Sequence, residues 1–419
     1  MKFIHAADLH IDSPLRGLAD YEGAPVDRIR SATRDSFDNL VTLAIDERVD
    51  FVIIAGDLFD GKWPDISTGL WTIRQFQRLQ RVDIDVYMIR GNHDAASEVL
   101  HRLRWPANVH DFSVDRPETK LIEPLNVAIH GQGFAQREVY SDLAAGYPDA
   151  VPGMFNIGVL HTSLTGDPHH DPYAPTTPDV LVLRGYDYWA LGHVHQRRTV
   201  REEPFIAFPG NTQGRHIHEQ GAKGCLVVSV DGKSDPVVAF RATDVMRWFA
   251  AQVEPGTGDS LDDLYAQVHA KLQEVHQVAD GRFAAVRITV CGATTSHHRL
   301  VSRSGREEAI AEVRSIAGEF EDAIWIEKIR IATSAPIDLD QLRHGSQVMR
   351  GLLDNIDGLH STDDDELRDL TAHFQPLLAR ASLELQQADI ALDAPENLRR
   401  WLRQAEGILV SMLWEEDES

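Results

Sequence analysis

At 419 residues, 43% of them hydrophobic and 25% charged, the chain is long enough for more than one domain and has the make-up of a soluble globular protein rather than a disordered one. No apolar run reaches the length of a membrane span, and the first candidate site residue, Asp8, leaves no room for a cleavable leader, so a cytoplasmic protein is expected. A net charge of -24 argues against a chain that clamps nucleic acid with a basic surface of its own.

In chain order, Phe3-Ile4 leads into Asp8-Leu9-His10, and the apolar spacing from Val26 to Ile45 predicts a helix. Phe51 to Ala55 then leads into Gly56-Asp57, with Asp60 three residues on, and Val86 to Ile89 leads into Gly91-Asn92-His93-Asp94. Ile157 to Leu160 ends at His161, and Tyr188 to Leu191 ends at Gly192-His193-Val194-His195. Short β-rich runs of this kind predict buried parallel strands. Functional groups gather beyond the carboxyl ends of such strands, so these scattered residues are expected to meet in space. Between the last two runs, Gly166 to Pro175 reads as a loop by its prolines, and its His169 and His170 are expected to be solvated.

After Arg247-Trp248 the pattern changes. Phe249–Val253, Phe283–Val290 and Ala323–Ile331 predict strands, with helices over Leu261–Val278 and Arg306–Ile316, a small α+β unit. From Leu367 two amphipathic helices are predicted; Leu367, Leu370 and Phe374 share a face of one, and Leu398, Trp401 and Leu402 share a face of the other. This divides the chain into residues 1–245, 246–333 and 334–419. From Ala335 onward eighteen acidic residues face seven arginines and no lysine, so the last segment is not a DNA-binding arm. Cys225 and Cys291, in apolar strand-like surroundings, are expected to be buried free thiols without a catalytic or metal role.

The strand-end residues offer carboxylate oxygen, amide oxygen and imidazole nitrogen but no thiolate, a set suited to manganese, iron or zinc, with manganese expected. Two such ions about 3.5 to 4 Å apart can hold a water, lower its pKa and neutralise the charge that builds up during in-line displacement at phosphorus. Taken singly, an Asp after a strand is usually a cap or turn former, and a lone His161 is usually a satisfied core histidine. Five motifs in order, each at a strand end, carry the metal reading.

The series Asp8-Leu9-His10, Gly56-Asp57, Gly91-Asn92-His93-Asp94, His161 and Gly192-His193-Val194-His195 resembles that of the calcineurin-like metallophosphoesterases, with no element missing. The resemblance implies a four-layer α-β-β-α sandwich. It places Asp8, His10 and His195 on one metal, Asn92, His161 and His193 on a second, Asp57 between them, and His93 as the acid that protonates the leaving oxygen. A general acid should titrate near neutral pH, as histidine does. Asp94 is expected to orient its ring, with Asp60 as the alternative.

The segments Phe3 to Ser13, Gly56 to Asp60, and Phe208-Pro209-Gly210-Asn211-Thr212-Gln213-Gly214-Arg215-His216 closing on Gly221 to Gly224 resemble nuclease subunits of double-strand-break repair complexes, of the SbcD and YhaO type. Protein Ser/Thr phosphatases carry an Arg shortly after the second motif, where this chain has Gly61-Lys62-Trp63. The resemblance implies a manganese-dependent DNA exo- or endonuclease, a cap domain, possession of an SMC-like coiled-coil ATPase partner docked on the C-terminal helices, and a homodimer. Arg215 and His216 are candidate DNA-phosphate contacts, against a reading in which Gly210 and Gly214 bracket a turn and Arg215 faces solvent. Two other functions stay open: a small-molecule phosphodiesterase or phosphatase with the same metals, and a scaffold subunit of a repair complex. The C-terminal helices could likewise pack on each other rather than on a partner.

Overall fold

The computed structural model describes residues 1–13, 24–61, 66–95, 103–164, 173–232, 235–336 and 347–361, with 398, 399 and 402. Lys62, Trp63, His169 and His170 lie outside the described residues, as do the helices expected from Leu367 onward except for Leu398, Arg399 and Leu402, which are helical. The elements run β1 (Lys2–Ala6), α1 (Val26–Asp46), β2 (Phe51–Ala55), α2 (Ile66–Gln80), β3 (Asp85–Ile89), α3 (Asn92–Ala95), β4 (Val109–Asp111), β5 (Glu118–Ile122), β6 (Val127–Gly131) and β7 (Phe155–His161). They continue as α4 (Pro178–Leu183), β8 (Tyr188–Gly192), β9 (Arg198–Arg201), β10 (Phe205–Phe208), β11 (Gly224–Ser229), β12 (Val237–Ala242) and β13 (Met246–Val253). Last come α5 (Leu261–Ala279), β14 (Phe283–Ala293), α6 (His297–Val301), α7 (Arg303–Gly318), β15 (Ile324–Ser334) and α8 (Gln347–Ser361).

The strands expected to be parallel are parallel, but they are shared between two sheets. One sheet has the order β12-β11-β1-β2-β3-β4 and the other β5-β6-β7-β8-β10-β9. β1 to β4 run parallel in the first, and β6, β7, β8 and β10 in the second. Antiparallel strands complete both.

Because side chains alternate along a strand, each apolar run feeds two layers. Phe3, Phe51, Ile53 and Tyr87 point to one side and meet Val127, Ile129, Ile157, Val159 and Tyr188 of the other sheet. Ile4, Val52, Ile54, Val86 and Met88 point the other way, onto Phe37, Leu40, Val41 and Ala44 of α1 and Phe76 of α2. On the far face of the second sheet, Leu160, Trp189 and Leu191 pack with Leu181 of α4. The result is the expected α-β-β-α order. Phe3 stacks on Phe51 with ring centroids 5.0 Å apart, and each such fully buried side chain contributes about 1.5–3 kcal/mol.

His5 is the buried polar residue of β1, with its ring nitrogens 3.0 Å from the Tyr188 hydroxyl and 3.0 Å from the Leu191 carbonyl. Burial pushes its imidazole down to about 3, against a smaller upward pull from the Leu191 carbonyl. Between that value and the ordinary 6.5, the unfolded chain binds a proton that the folded chain refuses, so stability falls as pH drops through this window and is complete above it. Relative to wild type, His5→Gln is therefore expected to flatten the loss of stability between pH 6 and 4 by up to about 1.4 kcal/mol per pH unit. Urea denaturation of metal-free protein across that range measures it, and parallel slopes would refute the assignment.

The described residues form two compact units, one drawn from 1–250, 274–287 and 318–328, the other from 251–273, 288–317 and the described positions from 329 onward. The predicted β-α-β-α-β succession is present as a three-stranded sheet in the order β13-β14-β15, with α6 as an additional short helix before α7. Cys225 is buried as expected, whereas Cys291 is only half-buried because it lies in the outer part of the long β14. Among the described residues no helix is long and apolar enough to cross a membrane.

Candidate metal centre

β1 and β2 end side by side, and the chain beyond them stays paired. The Asp8 N–H donates to the Gly56 carbonyl (3.1 Å), His10 to Asp57 (3.0 Å) and Ile11 to Leu58 (3.0 Å). Asp8, His10 and Asp57 have φ of 53°, 43° and 53°, and His193, beyond β8, has 103°. For residues with side chains this backbone costs of order 1–3 kcal/mol each, and it persists because the surrounding bonds over-determine it. The His193 N–H is held on the Asp8 carboxylate, 3.1 and 3.0 Å from its two oxygens. The His93 N–H donates to Asp57 Oδ1 at 2.9 Å.

Two motif glycines mark where these ends approach most closely. A Cβ on Gly192 would lie 1.9 Å from the Ala55 carbonyl oxygen, and one on Gly91 would lie 2.3 Å from Asp57 Oδ1. Missing volume is what these positions require.

The side chains then converge. Donor atoms of Asp8, His10 and His195 lie within 4.8 Å of one another, as do those of Asp8, Asp57 and His161. His10 Nε2 is 3.2 Å from His195 Nε2 and 3.8 Å from Asp57 Oδ2. His161 Nε2 is 2.9 Å from Asn92 Oδ1 and 3.4 Å from Asp57 Oδ2. The His193 ring lies against that of His161, with centroids 5.1 Å apart. Asp8, His10, Asp57, Asn92 and His161 are all buried. His161 Nδ1 faces the Ala55 carbonyl at 2.9 Å, and His195 Nδ1 faces Glu219 Oε1 at 2.7 Å. Carbonyl and carboxylate only accept, so each Nδ1 carries a proton, and each Nε2 is the ring atom directed at the cluster.

His93 stands at the mouth, its side chain 31% exposed, with Nδ1 2.6 Å from Asp60 Oδ1. Burial would lower the His93 imidazole, but the bond to Asp60 and the charges of Asp57 and Asp60 raise it above its ordinary value. The expectation that Asp94 orients this ring is corrected by the structure. Asp94, one residue on in the short turn α3, points back and accepts the N–H groups of Leu58 (3.1 Å), Phe59 (3.0 Å) and Gly91 (3.1 Å). It pins two loops together, and burial, with Asp57's charge, pushes it up to about 7 against those bonds.

Family comparison agrees with this geometry. Residues 1–197 match the model for calcineurin-like phosphoesterases, and residues 248–334 match the middle domain of the metallophosphoesterase YhaO. The YhaO protein of Bacillus subtilis is 34% identical over 394 residues, covering 93% of this chain and 94% of the relative. The chain belongs to the calcineurin-like metallophosphoesterases. It is also similar to the DNA double-strand break repair proteins Mre11 of Halobacterium salinarum, 25% identical over 70% of this chain and 72% of the relative, and of Methanopyrus kandleri, 24% identical over 46% and 44%. Against the Methanopyrus protein and several other Mre11 relatives, the match spans half of the relative's length or less.

Calcineurin-like metallophosphoesterases use a dinuclear metal centre, and the donor set here fits one. The Nε2 atoms of His10 and His195 are close enough for one electron-poor ion to share, and buried carboxylates need a counter-charge. His10 Nδ1 has no hydrogen-bond partner among the described residues, although Asp60 Oδ1 is 3.9 Å away.

Around this centre the 208–224 segment supplies groups that the motifs do not include. Glu219, 6% exposed, bonds His195, Asn211 and Arg215. Burial would raise its carboxyl, but the His195 hydrogen bond and the nearby charges of His195, Arg215 and His216 hold it well below the usual range. Lys223 Nζ donates to the His195 carbonyl at 3.0 Å. Arg215 does not face open solvent; its guanidinium sits 3.3 Å from Ser13 Oγ, 3.3 Å from Glu219 Oε1 and 3.7 Å from Asp60 Oδ2. His216 is the outward member of the pair, its side chain 52% exposed. The resemblance that singled out this segment was the available signal for Glu219, since a lone Glu in a loop carries no pattern of its own.

Proposed function

We propose that the site hydrolyses phosphodiester bonds of DNA with two divalent ions, manganese by preference. The observation that carries the hydrolytic reading is His93, held on Asp60 beside a largely buried cluster of candidate ligands. Asp8, His10 and His195 would hold one ion, Asn92, His161 and His193 the other, and Asp57, within reach of His10 and His161, would bridge them. When bound, the ions supply activation of the attacking water and neutralisation of charge at phosphorus. The protein's own share is to fix the ligands through backbone bonds and to deliver a proton. With Nδ1 engaged by Asp60, His93 Nε2 is the atom left to protonate the leaving oxygen.

DNA as substrate is supported by similarity to repair proteins that runs well beyond the metal motifs, over 70% of the chain in the Halobacterium relative. Arg215 and His216, at the edge of the cluster, are the side chains we assign to the DNA backbone. On this reading the protein is a cytoplasmic, homodimeric nuclease subunit that works with an SMC-like coiled-coil ATPase, whose basic surface offsets the -24 charge and whose coiled coil takes up the acidic residues 334–419. Failure of such an ATPase to co-purify with the full chain would remove that part.

The direct test incubates the purified chain with manganese or EDTA on end-labelled single- and double-stranded DNA, a cyclic nucleotide and a phosphopeptide. Manganese-dependent shortening of DNA alone is expected. Turnover of only a small ester would replace this reading with a small-molecule phosphodiesterase, and silence on every substrate, with the ATPase present, would leave a scaffold.

A further inference from the structure

Glu219 belongs to no metal motif, yet several groups of the site converge on its carboxylate. Oε1 accepts from His195 Nδ1 at 2.7 Å and from Arg215 Nη2 at 3.3 Å, while Oε2 accepts from Asn211 Nδ2 at 2.9 Å and the Arg215 N–H at 2.7 Å. The His195 main chain is held as well, its carbonyl accepting from Lys223 Nζ at 3.0 Å and from the Asn211 N–H at 3.2 Å. Backbone and ring of this one histidine are thus both set by the 208–224 segment. The ring atom left free, Nε2, is the one 3.2 Å from His10 Nε2 and 4.0 Å from Asp8 Oδ1.

We propose that Glu219 is a positioning residue: it fixes the tautomer and direction of His195 for the ion shared with Asp8 and His10, and ties Arg215 to the same point. The inference rests on the metal-centre reading above. Its physical content is the acceptor-only character of a carboxylate. Glutamine can still accept the Arg215 N–H, but it can also turn its amide NH₂ toward His195 Nδ1, which favours the tautomer whose Nε2 carries the proton and cannot ligate. Aspartate keeps the acceptor but is one methylene shorter.

The test is calorimetric titration of manganese into metal-stripped full-length protein: wild type, Glu219→Gln, Glu219→Asp, His195→Ala, and the Glu219→Gln/His195→Ala double variant. Wild type is expected to bind two ions. Glu219→Gln should weaken one by about 10- to 100-fold and spare the other, and Glu219→Asp should weaken the same one by a smaller factor. In the His195→Ala background, Glu219→Gln should add nothing, because its effect runs through that ring. Wild-type affinities in Glu219→Gln, equal weakening of both ions, or additivity with His195→Ala would each overturn the assignment. If Glu219→Gln does not fold, Glu219→Asp decides, with unchanged affinities counting against the proposal. Absence of manganese binding by wild type would instead sink the metal reading, and this inference with it.

Discussion

Replacing His93 by alanine is expected to slow cleavage of a phosphodiester with a poor leaving group by about 10²- to 10⁴-fold while both ions remain bound. The separation follows from geometry. The His93 ring contacts Asp60 at 2.6 Å and lies edge-on to His10, while the group that holds the ligand Asp57 is its backbone N–H, donating to Oδ1. Alanine keeps that N–H. Manganese titration and single-turnover cleavage on the same samples check the two halves. An activated aryl phosphodiester should show a much smaller defect, because its leaving group needs no proton. Asp60→Asn should slow the same step, whereas Asp94→Asn should act mainly on stability, since Asp94 bonds three backbone N–H groups. An unchanged rate for His93→Ala on the poor leaving group would disprove its role.

Gly192→Ala is expected to abolish metal binding and turnover together and to cost about 1–3 kcal/mol of stability or more. The added methyl would meet the Ala55 carbonyl at 1.9 Å and His161 Nδ1 at 3.0 Å. Ala55 ends β2 in one sheet and Gly192 ends β8 in the other, so no rotamer change relieves the contact; the strand ends must part. That moves Asp57 away from His161 and His193 away from Asp8. Gly258→Ala, with open space at the same position of its Cβ, serves as the control and should leave both quantities unchanged. Calorimetry and denaturant melts of the two variants settle the comparison, and full metal occupancy in Gly192→Ala would refute it.

Much of this centre was legible in the sequence because its parts sit where period and punctuation coincide: an apolar run, then glycine, then a donor. The five strand ends, the helix from Val26 and the β-α-β-α-β succession after residue 246 follow from spacing, with boundaries displaced by a few residues, as where α7 begins at Arg303 rather than Arg306. The choice between Asp60 and Asp94 was not legible. Adjacency in sequence favoured Asp94, but in a tight turn neighbouring side chains diverge, and Asp60 reaches His93 only because β2 and β3 pair in register. Glu219 was invisible for a related reason: its bonds are all made by a fold-back of residues 208–224 onto His195. The half-exposure of Cys291 depended on how far β14 extends.

The pairing of β1 has a bearing on which piece of this chain can exist alone. β1 lies between β2 and β11, with Ile4 opposite Val52 on one flank and Val227 on the other. Residues 1–197 contain every metal motif, yet a fragment ending there would leave the outer flank of β1 as a bare, apolar, hydrogen-bonding edge, the kind of surface on which chains aggregate. During synthesis the same edge stays open until about thirty more residues have been added, so the ligand-bearing segments are made long before the strand that shields them. The catalytic sequence and the foldable sequence are different lengths, and the second runs at least through Ala242, the end of the edge strand β12, with residues 274–287 and 318–328 in the same compact unit.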